Sequence, residues 1–69
     1  GLTMQALNLG ASAILLAHNH PTGDPRPSQR DIAETRKLER VLFPLSIRIA
    51  DHVIVAGSQQ FSFRASGLI

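Results

Sequence analysis

The stretch ASAILLAHNHPTGDPRPSQRD, residues 11–31, decides how this chain folds. It begins with a short run of small and apolar residues, which is typical of a strand buried on both faces of a sheet. A loop follows that holds three of the four prolines of the chain, and each proline restricts its own backbone and that of the preceding residue. The stretch ends where Ser28 can cap a helix. It therefore predicts a strand, a stiff loop and a helix in direct succession.

The residues before this stretch complete the prediction of an α/β fold. Thr3 can cap a short helix that carries Met4, Leu7 and Ala11 on one face and ends at Gly10. A helix that leads directly into a buried strand indicates an α/β unit. Since the chain has 69 residues, it forms one domain at most, with a small core.

The longest helix is predicted to begin at Ser28 and to continue to about Phe43, where Pro44 ends it. Its apolar stripe consists of residues three or four positions apart, namely Ile32, Thr35, Leu38 and Leu42, reinforced by Val41.

Two or three strand segments follow this helix. Apolar residues alternate around Arg48, and residues 52–56 either extend that strand or start a second one after Asp51. Residues 57–60 are predicted to form a turn before a short strand at residues 61–63.

The composition excludes several classes of protein. The chain has no cysteine, which excludes disulfides, thiolate catalysis and cysteine-based zinc sites. This absence is consistent with a reducing compartment, and we expect a cytoplasmic protein. No apolar run approaches the roughly 20 residues that span a bilayer, so we expect no membrane partner. The net charge is only +2, and the basic residues of the long helix alternate with acidic ones. Mixed charges favour a solvated helix face over a nucleic-acid surface.

His18 and His20 are candidate metal ligands at the end of the predicted strand. Side chains two residues apart on a strand lie on the same face, so both imidazoles can reach one ion. Two imidazoles and one carboxylate are a common protein ligand set of a catalytic zinc site. The alternative is that one of the histidines is an ordinary hydrogen-bonded loop residue.

Asp31 lies in the first turn of the predicted helix, where helical side chains tilt back toward the loop and the histidines. The alternative is a structural role, because an acidic residue in the first turn is favoured by the helix dipole and can form a capping box with Ser28. Ser28 itself is expected to cap the helix through its oxygen. Its hydroxyl proton then stays free to donate to an oxyanion beside the metal.

Three further polar residues are given structural roles. Asn19 would face away from the two histidines. Asp24 is interpreted as a turn residue that follows Gly23, with a contact to a metal or a substrate as the alternative. His52 is interpreted as a structural histidine beside an apolar run, and a contact with the site or with a substrate is left open.

The spacing of these residues resembles the JAMM motif of the JAB/MPN metallopeptidases: His18, one residue, His20, seven residues, Ser28, two residues, Asp31. The wider sequences AHNHPTGDPRPSQRD at 17–31, DHVIV at 51–55 and SFRASGLI at 62–69 resemble the bacterial RadC family. The resemblance extends from about Met4 to the end of the chain.

This resemblance implies part of a JAB/MPN sheet with flanking helices, related to the cytidine deaminases. It also implies that His18, His20 and Asp31 bind zinc and that Ser28 stabilises a tetrahedral intermediate. The expected reaction is hydrolysis of a peptide or isopeptide bond in an unidentified peptide or protein.

One part of the family pattern is missing. JAMM enzymes carry a glutamate on an upstream strand as general base, whereas the only glutamates here, Glu34 and Glu39, lie on the predicted long helix. We therefore expect residues 1–69 to be the C-terminal part of a RadC-type domain that lacks its upstream strands and its base. A buried strand without those neighbours predicts a homo-oligomer. The alternative function is a non-catalytic interaction module associated with DNA repair or nucleic acid.

Overall fold

A computed structural model describes residues 4–69 as a four-stranded sheet with one long helix. The elements are β1 (Met4–Asn8), β2 (Ala13–Asn19), α1 (Gln29–Leu42), β3 (Arg48–Ala56) and β4 (Gln59–Ser62). The strand order is β1-β2-β3-β4. Strands β2 and β3 are parallel, with α1 as their connection, and the two outer pairs are antiparallel. The α/β class is therefore confirmed.

The first predicted element is wrong, because Met4–Asn8 is a strand and not a helix. This segment pairs antiparallel with β2, from Met4 opposite His18 to Asn8 opposite Ile14. Hydrogen bonding to a neighbouring strand outweighs the modest helix propensities of the segment. Gly10, at φ +145°, lies in the turn between the two strands rather than at a helix end. The predicted cap, Thr3, lies outside the described residues.

Helix α1 follows the prediction closely at both ends. Ser28 is its N-cap, and the helix ends at Leu42, immediately before a short 3-10 helix that contains Pro44. Thr35 is buried on the face toward the sheet, whereas Val41 is 58% exposed. Successive helical residues are about 100° apart around the axis, so Val41 lies well away from its neighbour Leu42. The buried stripe is narrower than predicted, and Val41 does not reinforce it.

Strand β3 is continuous, so residues 52–56 extend the strand around Arg48 and do not start a second strand. Its register against β2 shifts at one point, since Ile14 lies opposite Ile49 but Leu15 lies opposite Asp51. Ala50 is thus an extra residue, and such a bulge changes which side chains face the core. As a result, Ile49 and His52 are both buried although they are three residues apart.

The core lies where α1 and the C-terminal segment pack on one face of the sheet. Its buried apolar side chains are Leu16, Ile49, Ile54, Ala56 and Phe63. Within residues 4–69, no helix combines the length and the hydrophobicity needed to cross a bilayer.

Candidate metal centre

The end of β2 and the first turn of α1 bring His18, His20 and Asp31 together. Each residue offers one ligand atom, and these atoms all lie within 4.8 Å of one another. His18 and Asp31 are buried, and His20 is half-buried. A site at the carboxyl end of a parallel strand and the amino end of the following helix is a common position for function in α/β proteins.

A hydrogen bond to a backbone carbonyl fixes the orientation of the His20 ring. Its Nδ1 atom lies 3.1 Å from the carbonyl oxygen of Asp24, so Nδ1 carries a proton and donates it there. The Nε2 atom of His20 lies 3.3 Å from Oδ2 of Asp31. Two acceptors that face each other need a proton or a cation between them. Metal-binding histidines are commonly held in this way, with the second ring nitrogen donating to a carbonyl.

His18 has a buried nitrogen without a hydrogen-bond partner among residues 4–69. Its Nδ1 atom lies 3.8 Å from Oδ1 of Asp31, too far for a hydrogen bond. A buried polar atom left without a partner costs about 1–3 kcal/mol. An ion between the two groups would remove this cost.

The donor set fits zinc in its chemistry, and its ligand atoms lie within 4.8 Å of one another. Zinc bonds to nitrogen and oxygen of about 2.0–2.2 Å place two ligand atoms of a tetrahedral site roughly 3.3–3.6 Å apart. The two carboxylate oxygens of Asp31 approach different rings, with Oδ2 3.3 Å from Nε2 of His20 and Oδ1 3.8 Å from Nδ1 of His18.

Asp31 also completes a capping box with Ser28. The Ser28 Oγ atom accepts a hydrogen bond from the Asp31 amide at 3.0 Å, and Oδ2 of Asp31 accepts one from the Ser28 amide at 2.8 Å. Burial opposes ionisation of Asp31, but the hydrogen bonds of Ser28 and the nearby histidines outweigh it and lower the pKa of this carboxyl group. The two interpretations of Asp31 are therefore compatible, since the cap occupies one lone pair of Oδ2, leaves the other lone pairs of the carboxylate available and fixes its direction.

The three residues open onto a pocket of about 500 Å³. Ser28 lies in its wall, where its hydroxyl oxygen accepts a hydrogen bond in the cap and its hydroxyl proton makes none with residues 4–69. Arg30 and Glu34 also line the pocket and form an exposed ion pair with an N–O distance of 3.1 Å. The spacing of three residues between Asp31 and Glu34 on one helix is the signal in the sequence that Glu34 borders the site.

Asp24 and Asn19 occupy positions outside the ligand cluster. Asn19 is exposed at the end of β2. The Asp24 carboxylate accepts hydrogen bonds from the amide and the guanidinium of Arg26, and the side-chain hydrogen bond is the main reason why its pKa falls to about 2. Its contribution to the site is the backbone carbonyl behind His20, which residue type alone could not reveal.

His52 lies closer to the site than the sequence indicated. Its ring centroid is 5.8 Å from that of His18, and its Nδ1 atom lies 2.8 Å from the hydroxyl of Thr35. Burial is the main cause that lowers the pKa of His52 and keeps the ring neutral. The alternation of His52 with buried apolar residues was the one available signal that it faces the core.

Comparison with known proteins gives one consistent result. The family described as RadC-like JAB domain matches residues 2–68. The chain is 46% identical over 65 residues to a UPF0758 protein of Rhodobacter capsulatus, covering 94% of this chain and 30% of that protein. It is 51% identical to UPF0758 protein BAV2405 of Bordetella avium, covering 94% and 29%. It is 48% identical to UPF0758 protein YkfG of Escherichia coli K12, covering 94% and 41%.

Proposed function

Because this chain belongs to the RadC-like JAB domain family, we propose that it provides the zinc-binding half of a hydrolase that cleaves peptide or isopeptide bonds. The observation that carries the proposal is the convergence of two imidazole nitrogens, one of them without a partner among the described residues, on a single carboxylate. The chain spans less than half of the length of the relatives described above. The proposed hydrolase is therefore a longer protein, of which these 69 residues supply the zinc site.

The proposed roles follow from the contacts of each residue. His18, His20 and Asp31 would hold the ion, and the lowered pKa of Asp31 keeps it ionised as a ligand at neutral pH. A zinc ion in such a site supplies Lewis acidity and acidifies water at neutral pH. The free hydroxyl proton of Ser28 would be donated to the carbonyl oxygen of the scissile amide as negative charge develops on it.

The general base is the part of the reaction that these residues do not provide. Glu39 lies on α1 away from the pocket wall, and Glu34 borders the pocket but pairs with Arg30. General base catalysis typically contributes about 10²–10⁴-fold to a rate. We therefore expect the 69-residue chain to hydrolyse peptide bonds poorly, and we propose that residues elsewhere in the longer protein supply the base.

Calorimetric titration with zinc tests the proposed metal site, and a peptidase assay tests whether the chain lacks its general base. The wild-type chain should bind one zinc ion, His18→Ala should bind none, and Asn19→Ala should bind normally because this exposed residue lies between the two ligands without joining them. A wild-type chain that binds no zinc would overturn the metal site and favour the interaction module. Rapid zinc-dependent cleavage that His18→Ala abolishes would show that the chain contains its own base, with His52 the first residue to test.

A further inference from the structure

The space behind the metal centre is filled by a histidine that the proposed reaction does not use. His52 is only 1% exposed and comes from β3, next to the strand that carries His18. Its ring stacks on Phe63, with 4.3 Å between ring centroids and 17° between ring planes. The stacking and the burial fix the plane of the imidazole.

Thr35 connects this histidine to the metal centre. The Thr35 hydroxyl lies 2.9 Å from the backbone carbonyl oxygen of Asp31 and 2.8 Å from Nδ1 of His52. A hydroxyl group has one proton, and the carbonyl of Asp31 can only accept. The Thr35 proton is therefore donated to Asp31, and His52 must donate its own Nδ1 proton to the Thr35 oxygen. This assignment makes His52 the Nδ1–H tautomer, with Nε2 unprotonated.

The Thr35–His52 hydrogen bond joins two elements that must be held in register for the site to form. Among residues 4–69, it is the one side-chain hydrogen bond between α1 and a strand of the sheet. The two hydrogen bonds of the capping box orient Asp31 relative to Ser28 and do not involve the strand that carries His18. The distance from Asp31 to the histidines thus depends on how the first turns of α1 are attached to the sheet.

We propose that Thr35 and His52 are positioning residues, which attach the start of α1 to β3 and so place the Asp31 carboxylate against His18 and His20. The proposal rests on the metal site proposed above, since positioning is of use only if the three groups bind an ion together. Neither Thr35 nor His52 belongs to the group of residues that would hold the ion. Residues that orient metal ligands in this way typically change metal affinity about 10–100-fold when they are replaced.

A simpler alternative is that both residues only fill the core. Threonine hydroxyls in helices often bond to the carbonyl four residues earlier, and a buried histidine can be tolerated for its volume alone. Variants that keep the volume but remove the hydrogen bond separate the two explanations. Thr35→Val loses the hydroxyl and keeps the shape, whereas Thr35→Ser keeps the hydroxyl. His52→Asn keeps a donor near the position of Nδ1, and His52→Leu does not.

The experiment measures cobalt(II) affinity and the visible absorption spectrum of the bound ion in the full chain. Thr35→Val and His52→Leu should weaken cobalt binding roughly 10–100-fold and change the spectrum. Thr35→Ser and His52→Asn should restore both toward the wild type. Leu42→Ala, at the other end of α1, is the control for general destabilisation and should leave the affinity and the spectrum unchanged. Melting curves identify any variant that does not fold.

Two measurements on the metal-free chain keep this test separate from that of the proposed function. Nitrogen-15 NMR should show Nδ1 of His52 protonated and Nε2 unprotonated. Amide exchange at Asp31 should become faster in Thr35→Val but not in Thr35→Ser. The positioning proposal is overturned if the wild type has the other tautomer, or if Thr35→Val leaves amide exchange, affinity and spectrum unchanged. The third outcome is that the wild type shows the expected tautomer and Thr35→Val shows the faster exchange, but the wild type binds no metal. This outcome overturns the proposed function alone and supports the attachment of α1 to β3.

Discussion

At the scale of single residues, His20 and Leu16 lie at and near the end of β2 but have different roles. His20 faces the Asp31 carboxylate, whereas Leu16 is 2% exposed in the core. We expect His20→Ala to abolish zinc binding with little change in the melting temperature of the metal-free chain. Leu16→Ala should lower the free energy of unfolding by about 2–5 kcal/mol, as is typical of core leucines.

Thermal melts of both variants, with zinc and with a chelator, distinguish the metal-binding role of His20 from the core role of Leu16. The difference between the zinc and chelator melts should vanish in His20→Ala and persist in Leu16→Ala if the latter folds. Equal loss of melting temperature in both variants under chelator would mean that the His20 side chain is part of the structural core.

Asp51 provides a second test at the scale of a residue. Its carboxylate accepts hydrogen bonds from the amides of His52 and Arg64 and from the hydroxyl of Ser62, at 2.7, 3.0 and 2.6 Å. Burial raises the pKa of Asp51, but these hydrogen bonds outweigh it and lower the pKa below the usual 3.8. Its contribution to stability is therefore fully present above pH 3.8 and is lost as the pH falls through the lower folded-state value.

We expect Asp51→Asn to lower the free energy of unfolding at neutral pH, because an amide cannot accept all three hydrogen bonds. The difference from the wild type should shrink as the pH falls below 3.8. Urea unfolding across this pH range measures it. Glu34→Gln is the control, since its exposed ion pair with Arg30 contributes little. A difference that stays constant from neutral to acid pH would contradict the role of the ionised carboxylate.

At the scale of an element, the start of α1 connects folding and function. Ser28 and Asp31 satisfy each other's backbone amides, and Asp31 is at the same time a proposed ligand. Ser28→Ala should cost about 1 kcal/mol of stability through the lost cap and should also weaken zinc binding. Ser28→Thr keeps the capping oxygen and is expected to retain both properties. Chemical unfolding and zinc titration of the two variants check this, and a fully stable Ser28→Ala chain would contradict it.

At the scale of the whole molecule, the exposed edge of the sheet is the feature that predicts association. All five residues of β1 are exposed, and no charged residue occurs in the first 17 positions of the chain. Natural edge strands usually carry charges, prolines or bulges that prevent pairing with another chain. Leu7 and Leu9 are 49% and 56% exposed beside this edge. We propose that two or more copies of the chain pair along β1.

Sedimentation at micromolar concentration should therefore show a dimer or a larger assembly. Leu7→Lys should shift the distribution toward the monomer, because a buried lysine is costly in the paired form. A wild-type chain that sediments as a 7.5 kDa monomer and melts cooperatively would contradict the proposed pairing.

The sequence by itself determined the features that depend on neighbours along the chain. Three features follow from capping, proline stereochemistry and hydrophobic pattern: Ser28 as the cap, the end of the helix just before Pro44, and the strand that leads to His18. The same local rules place His18 and His20 on one side of a strand end, with Asp31 tilted back toward them. Local rules therefore predict that these three side chains lie together, and the resemblance to the JAMM motif implies that they are ligands.

Only the tertiary structure decided the features that depend on pairing between distant segments. Residues 4–8 have the composition of a helix, but they pair with the edge of β2 and form β1. The bulge at Ala50 exists only in relation to β2, and it turns His52 inward, where it meets Thr35. Strand register and the contact between a helix and a sheet are set by the free energy of the assembled core. No local pattern encodes that free energy. The alternation along β3 indicates that His52 faces the core, but its contact with Thr35 behind the candidate metal centre could not be found from the sequence.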